Sequence, residues 1–321
     1  MKLATIDSGT PDGELVVISA DGRRFMRDPA GASTLQTALE TWEPFASRLA
    51  ALSARLDAGE GKPLNESTLR APLPRAWQWL DGSAFDSHGA LMQIAFGLDP
   101  IPNDRPLMYQ GLSDKFLGPH DDVPMVDEAL GIDFEGEFGV IVDSVQMGVT
   151  PAAALSHIKL IVQINDWSLR TLAPIEMKTG FGWVQAKPAC SVAPFAITPD
   201  ELGDFWQDGR VCLDLKVDWN ASRFGNANGK AMAFGFHVLI AHAARTRSLP
   251  AGTIIGSGTV SNENYREVGS SCIAERRAIE LVDDGTPRTP FMHFGDTIRM
   301  EARLPDGTIL FGAIEQQVVR A

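Results

Sequence analysis

"GIDFEGEFGVIV", residues 131–142, is the stretch on which the fold turns. Phe134, Phe138, Val140 and Val142 share one parity, and Asp133, Glu135 and Glu137 share the other. That is the two-residue period of a β-strand rather than the 3.6-residue period of a helix. Both glutamates then point to one side, with Cα atoms roughly 6.6 Å apart across two strand steps. Their carboxylates can converge on one cation, and repel each other without one. A solvated strand face explains the same pattern more simply, so neighbouring segments must decide.

Moving outward, "IKLIVQINDWSLR" (158–170) has Ile158, Leu160, Val162, Ile164 and Asp166 on one parity, which puts an aspartate at the end of an apolar face. A carboxylate there calls for a salt bridge, with Arg170 at hand, a turn cap, or a cation. In "WLDGSAFDSHGALM" (79–92), Gly82 and Ser83 suggest a turn after Asp81, and His88 follows seven residues later at the start of a helical pattern. Alone, these are an ordinary turn residue and an ordinary histidine. Lys187 stands in the otherwise charge-free "GWVQAKP", and "IIGSGTVSN" ends an apolar strand in a glycine-rich turn without the phosphate-loop spacing.

The N-terminal part reads as two strands, "KLATI" and "ELVVISADG", followed by Leu35, Leu39, Trp42, Phe45, Leu49, Leu52 and Leu56 at helical spacing, with Pro44 at a break or first turn. A small α+β unit over residues 1–71 and a larger unit over 72–321 follow, the prolines of "RAPLPRAWQWLDGS" marking the junction. Beyond residue 130 the chain alternates "FGVIVD", "KLIVQIND", "RVCLDLKVDWN", "TIRMEARLPDG" and "TILFGAIEQQV" with turn residues. Two helices are expected there, "TPAAALSHI", capped by Thr150 with Pro151 first, and "AFGFHVLIAHAART". The fold class is α+β, mostly β.

A net charge of -13 argues against nucleic acid and anionic lipid as partners. No apolar run approaches a membrane span of roughly 18–20 residues, and the opening lacks a secretory leader, so a cytoplasmic location is expected. Three cysteines, Cys190, Cys212 and Cys272, without CxxC pairing, fit reduced packing residues.

Taken in order and spacing, these segments resemble the fumarylacetoacetate hydrolase family over about residues 72–321, and residues 1–71 resemble the variant small domain of its bacterial members. The resemblance implies a mixed β-sandwich roll with a small N-terminal α+β domain. It implies Asp81, Glu135, Glu137 and Asp166 as metal ligands, His88 as the catalytic histidine, Lys187 beside it, and Glu275 of "GSSCIAERR" as the carboxylate that orients the histidine, although Glu275 stands later in its motif than the family's glutamate does. Tyr109, Thr259 and Arg170 match substrate contacts. Ser83, Ala173 and Met177 stand where the eponymous enzymes carry tyrosine, glutamine and tyrosine, which implies a different substrate.

An oxygen-only ligand set favours a hard divalent cation, magnesium first, with calcium or manganese as alternatives. The implied reaction is hydrolysis of a carbon–carbon bond in an acylpyruvate or related 2,4-diketo acid in aromatic catabolism, His88 activating water and the cation taking up enolate charge. Isomerases, hydratases and decarboxylases of 2-oxo acids share the scaffold, and a non-catalytic, metal-stabilised binding domain is the alternative of another kind. A homodimer is the implied assembly.

Overall fold

The computed structural model describes residues 1–29, 31–97 and 104–321. Its larger sheet has eleven strands among the described residues. The order runs from Lys62–Pro63 through Arg24–Met26, Glu14–Ile18, Lys2–Ile6, Ala196–Ile197, Ile158–Asn165, Gly136–Val142, Thr253–Gly256 and Trp79–Gly82 to Met108–Gly111. Ser191–Val192 pairs beside this path with Ile158–Asn165. Lys2–Ile6 bonds to Ala196–Ile197, so the N-terminal strands continue the central sheet instead of forming one of their own.

A second sheet of five strands carries Asp214–Trp219 and Thr297–Ala302 near its middle. It packs on the face of the large sheet that presents Phe138, Val140 and Val142, burying them with Leu215, Val217, Met300 and Ile314. Gln163 joins the layers: its amide donates to Met300 O at 3.0 Å and its carbonyl accepts from Ala302 N at 2.8 Å. The opposite face presents Ile141, Leu160, Val162, Ile164, Trp79 and Ile254 and is covered by Leu35, Leu39, Leu49, Leu52 and Leu56 of the helices Leu35–Glu40 and Trp42–Asp57. Pro44 lies in the first turn of the second helix, where its missing N–H costs nothing.

Several expectations change for physical reasons. The 131–142 segment has no solvated face, because both faces of Gly136–Val142 are covered. It is also broken: Ile132–Asp133 pairs with Ser168–Leu169, and the long strand starts only at Gly136, leaving Glu135 at the junction. A register shift between Ile158 and Leu160 turns Ile158 to the Phe138 side, against its parity. Asp81 and Gly82 belong to a strand rather than a turn. "TILFGAIEQQV" forms a strand only from Ile314, since Phe311 O is taken by Phe195 N. The helix Ile273–Asp284 was hidden because Glu275, a charged residue, lies on its buried face beside Ile273, Ala274, Ala278 and Ile279.

Candidate metal centre

Asp81 and Glu137 lie on strands separated by Thr253–Gly256, and Asp166 directly follows the strand Ile158–Asn165. Asp81 lies opposite Gly256, Gly256 opposite Gly139, and Ile164 opposite Glu137, so the three acids end up at one end of the sheet. One oxygen from each lies within 4.8 Å of the others, and all three residues are buried. Gly256 runs between the Asp81 and Glu137 strands, and a Cβ there would collide with Asp81 Oδ1 and the Trp79 ring. Gly258, at φ +77°, turns the chain so that its N–H donates to Asp81 Oδ1 at 3.1 Å. Thr259 is buried at the end of that turn.

The carboxylates differ in what neutralises them. Asp166 receives the Tyr109 hydroxyl and Lys187 Nζ (2.7 Å) on Oδ2, and the Cys190 thiol (2.8 Å) on Oδ1. Glu135 accepts from Lys187 Nζ at 2.6 Å and from Arg170, while its backbone is clamped by Asn165 Oδ1 and the Asp166 N–H, both at 2.9 Å. Against the upward push of burial, Arg170 and Lys187 hold the Glu135 carboxyl down at about 2. Glu137 has no donor on either oxygen. Burial first, then Asp81, Asp166 and Glu135, push its carboxyl well above the usual range, and burial with Asp166 does the same to Asp81.

An unpartnered, fully buried carboxylate beside two others is costly unless a cation or a proton neutralises it. The orphaned Glu137 oxygens, the all-oxygen donor set and the space kept by Gly256 fit a divalent cation at this point. Asp81, Glu137 and Asp166 would hold it. Glu135, expected as a fourth ligand, has its two oxygens on Arg170 and Lys187 in this structure.

His88 sits in the first turn of the helix Asp86–Phe96, with Nδ1 2.8 Å from Glu275 Oε2. Glu275 is fully buried on Ile273–Asp284, the helix against which the His88 helix packs. The late position of Glu275 in its motif therefore does not keep it from the histidine. Nothing in the sequence distinguishes Asp133 from the two glutamates of its parity. It is fully buried and accepts from Ile273 N (2.7 Å), Ala274 N (2.9 Å) and Arg170 Nε (2.7 Å). This carboxylate ties the start of the Glu275 helix to the arginine that holds Glu135. Cys190, expected to serve packing alone, donates to Asp166, a contact that depends on a strand pairing local sequence does not show. Ser83 is exposed, Ala173 is buried, and Met177 is exposed on the helix Ala173–Thr179. A cleft of about 660 Å³ between the Trp42–Asp57 helix and the sheet shares no residue with the carboxylates.

Comparison with known proteins bears on this arrangement. A family model described as fumarylacetoacetate (FAA) hydrolase C-terminal matches residues 78–319, and one described as fumarylacetoacetase N-terminal domain 2 matches residues 1–75. A curated relative, 2,4-didehydro-3-deoxy-L-rhamnonate hydrolase of Sphingomonas sp. (strain SKA58), is 31% identical over 163 residues, which are 50% of this chain and 54% of the relative. The chain thus spans about half the length of the curated relatives it matches. Maleylpyruvate hydrolase from Sphingobium sp. SYK-6, solved in complex with manganese(II) and pyruvate, superposes with a TM-score of 0.67 at 18% identity over 100% of both chains. The 5-carboxymethyl-2-hydroxymuconate delta-isomerase of Mycobacterium smegmatis does so with a TM-score of 0.63 at 16% identity, over 100% of this chain and 99% of that one. At these identities the superpositions establish the fold.

Proposed function

Because the chain belongs to the fumarylacetoacetate hydrolase family, we propose that it is a divalent-cation-dependent hydrolase that cleaves a carbon–carbon bond in an acylpyruvate or related 2,4-diketo acid. The observation that carries this reading is the donor-free Glu137 carboxylate between Asp81 and Asp166, together with a histidine held by its own buried carboxylate. A purely structural ion site would need neither His88 nor Lys187.

His88 is the general base. Glu275 accepts from Nδ1–H, which leaves the lone pair on Nε2 free to take a proton from water. The resulting hydroxide adds to the acyl carbonyl carbon, the bond to the pyruvyl methylene breaks, and that fragment leaves as an enolate whose carbon regains the proton from the His88 imidazolium, directly or through water, to give pyruvate. When bound, the cation supplies positive charge for the diketo oxygens and for the enolate. Lys187, between Glu135 and Asp166, adds a second fixed cation; against burial, Asp166 and Glu135 raise its pKa, so it stays protonated. Tyr109 and Arg170 hold Asp166 and Glu135 in place, and Tyr109 and Thr259 border the substrate. The His88–Glu275 pair favours hydrolysis over isomerisation, in which no water is activated. Magnesium or manganese, a homodimer, a cytoplasmic location and a role in aromatic catabolism complete the proposal.

The test is a panel of acylpyruvates and 2-oxo acids assayed with magnesium or manganese, following loss of the enol absorbance. Turnover of at least one acylpyruvate to pyruvate and a carboxylic acid is expected. Inactivity on the whole panel with metal bound would leave a metal-stabilised binding domain as the better reading.

A further inference from the structure

We infer that the substrate's acyl group is apolar, aliphatic or aromatic, without a distal carboxylate. The inference rests on the reading above and names its substrate class. It comes from the segment 171–186, both ends of which are fixed at the carboxylates: Arg170 bonds to Asp133 and Glu135, and Lys187 to Glu135 and Asp166. Between these anchors the chain forms a loop at the edge of the site, closed by Glu176, which accepts from Val184 N (3.1 Å), Gln185 N (2.9 Å) and Ala186 N (2.9 Å).

That closed loop carries large apolar side chains which the fold leaves uncovered: Ile175, Met177, Phe181 (97% exposed) and Val184 (84% exposed). Trp183 connects this surface to the site, standing edge-on to Tyr109 with ring centroids 6.1 Å apart, and the Tyr109 hydroxyl bonds to Asp166. One basic side chain is all that the loop offers an anion. Lys178 is its one basic residue, and is exposed. The Glu176 carboxylate is consumed by backbone N–H groups, and Arg170 and Lys187 are bound to carboxylates of the site. An acyl tail passing Tyr109 meets the Trp183 ring, which a methylene covers favourably and which offers a carboxylate no charged partner.

The experiment compares acetyl-, butanoyl- and hexanoylpyruvate with fumarylpyruvate in the manganese-loaded protein, together with Trp183→Ala. Each methylene that is buried should raise kcat/KM by about fourfold, fumarylpyruvate should be the poorer substrate, and Trp183→Ala should flatten the series chiefly through KM. A flat series, or a preference for fumarylpyruvate, would overturn the inference. So would a Trp183→Ala variant that changes oligomeric state by light scattering and leaves the series intact, since the surface would then be a subunit contact. If no acylpyruvate is turned over, binding decides: 2-oxooctanoate should bind the manganese-loaded protein more tightly than 2-oxoadipate, and the reverse order sinks the inference separately from the reaction.

Discussion

Glu137→Gln should stabilise the metal-free protein and blunt the further stabilisation that metal gives. Without metal, the wild-type side chain is a buried carboxylate that no donor reaches, beside Asp81 and Asp166. Its folded pKa is raised by burial and those charges above the ordinary 4.5, so the folded state binds the proton more tightly than the unfolded one. Stability therefore falls as pH rises through and above about 4.5, and the penalty is present at neutral pH. The amide cannot ionise and can donate to the neighbouring carboxylates. A relief of about 1–3 kcal/mol is expected, the usual cost of an unsatisfied buried polar group, or roughly 1–5 °C in Tm for a chain of this size. With metal that advantage shrinks. At 100 times Kd a cation stabilises the wild type by about 2.7 kcal/mol, and a ligand loss that weakens binding tenfold removes about half of that. Scanning calorimetry in EDTA and in manganese at pH 5 and pH 8 would show both effects. A variant less stable than wild type in EDTA at pH 8, with an unchanged manganese-induced rise, would refute the reasoning.

Two other variants separate the roles of the neighbours. His88→Ala should lower turnover by about 100-fold to 10,000-fold while manganese affinity, read by electron paramagnetic resonance, stays near wild type; a parallel loss of affinity would make His88 a ligand. Asp133→Asn removes a charge-assisted acceptor from Ile273 N, Ala274 N and Arg170, and should cost about 1.5–3 kcal/mol in denaturant unfolding and lower kcat more than metal affinity. Unchanged kcat would mean that the start of the Glu275 helix is held by other contacts.

Part of this site was legible in the chain because strands announce themselves by parity, whereas Asp81 and His88 stood out only through the family resemblance. The two-residue period placed Glu137 on one side of its strand, and the apolar run of 158–164 led to Asp166. What the sequence did not show are relations made by pairing. The break at Phe134–Glu135 follows from Ser168–Leu169 taking Asp133 and Ile132 as partners, thirty-odd residues away along the chain. The N-terminal strands look like a separate unit until Lys2–Ile6 meets Ala196–Ile197. The Glu275 helix was masked by the very residue that matters in it, since a buried charge spoils an amphipathic pattern. Glu135 and Glu137 look alike in sequence, and only the arrival of Arg170 and Lys187 distinguishes the neutralised acid from the orphaned one.

The most direct measurement is an anomalous difference map from crystals grown with manganese. One peak per chain is expected among Asp81, Glu137 and Asp166, about 2.0–2.6 Å from an oxygen of each, as for hard cations bound by carboxylates. A map with no peak there at saturating manganese, or with the metal on exposed acids and Glu137 still without a partner, would contradict the account.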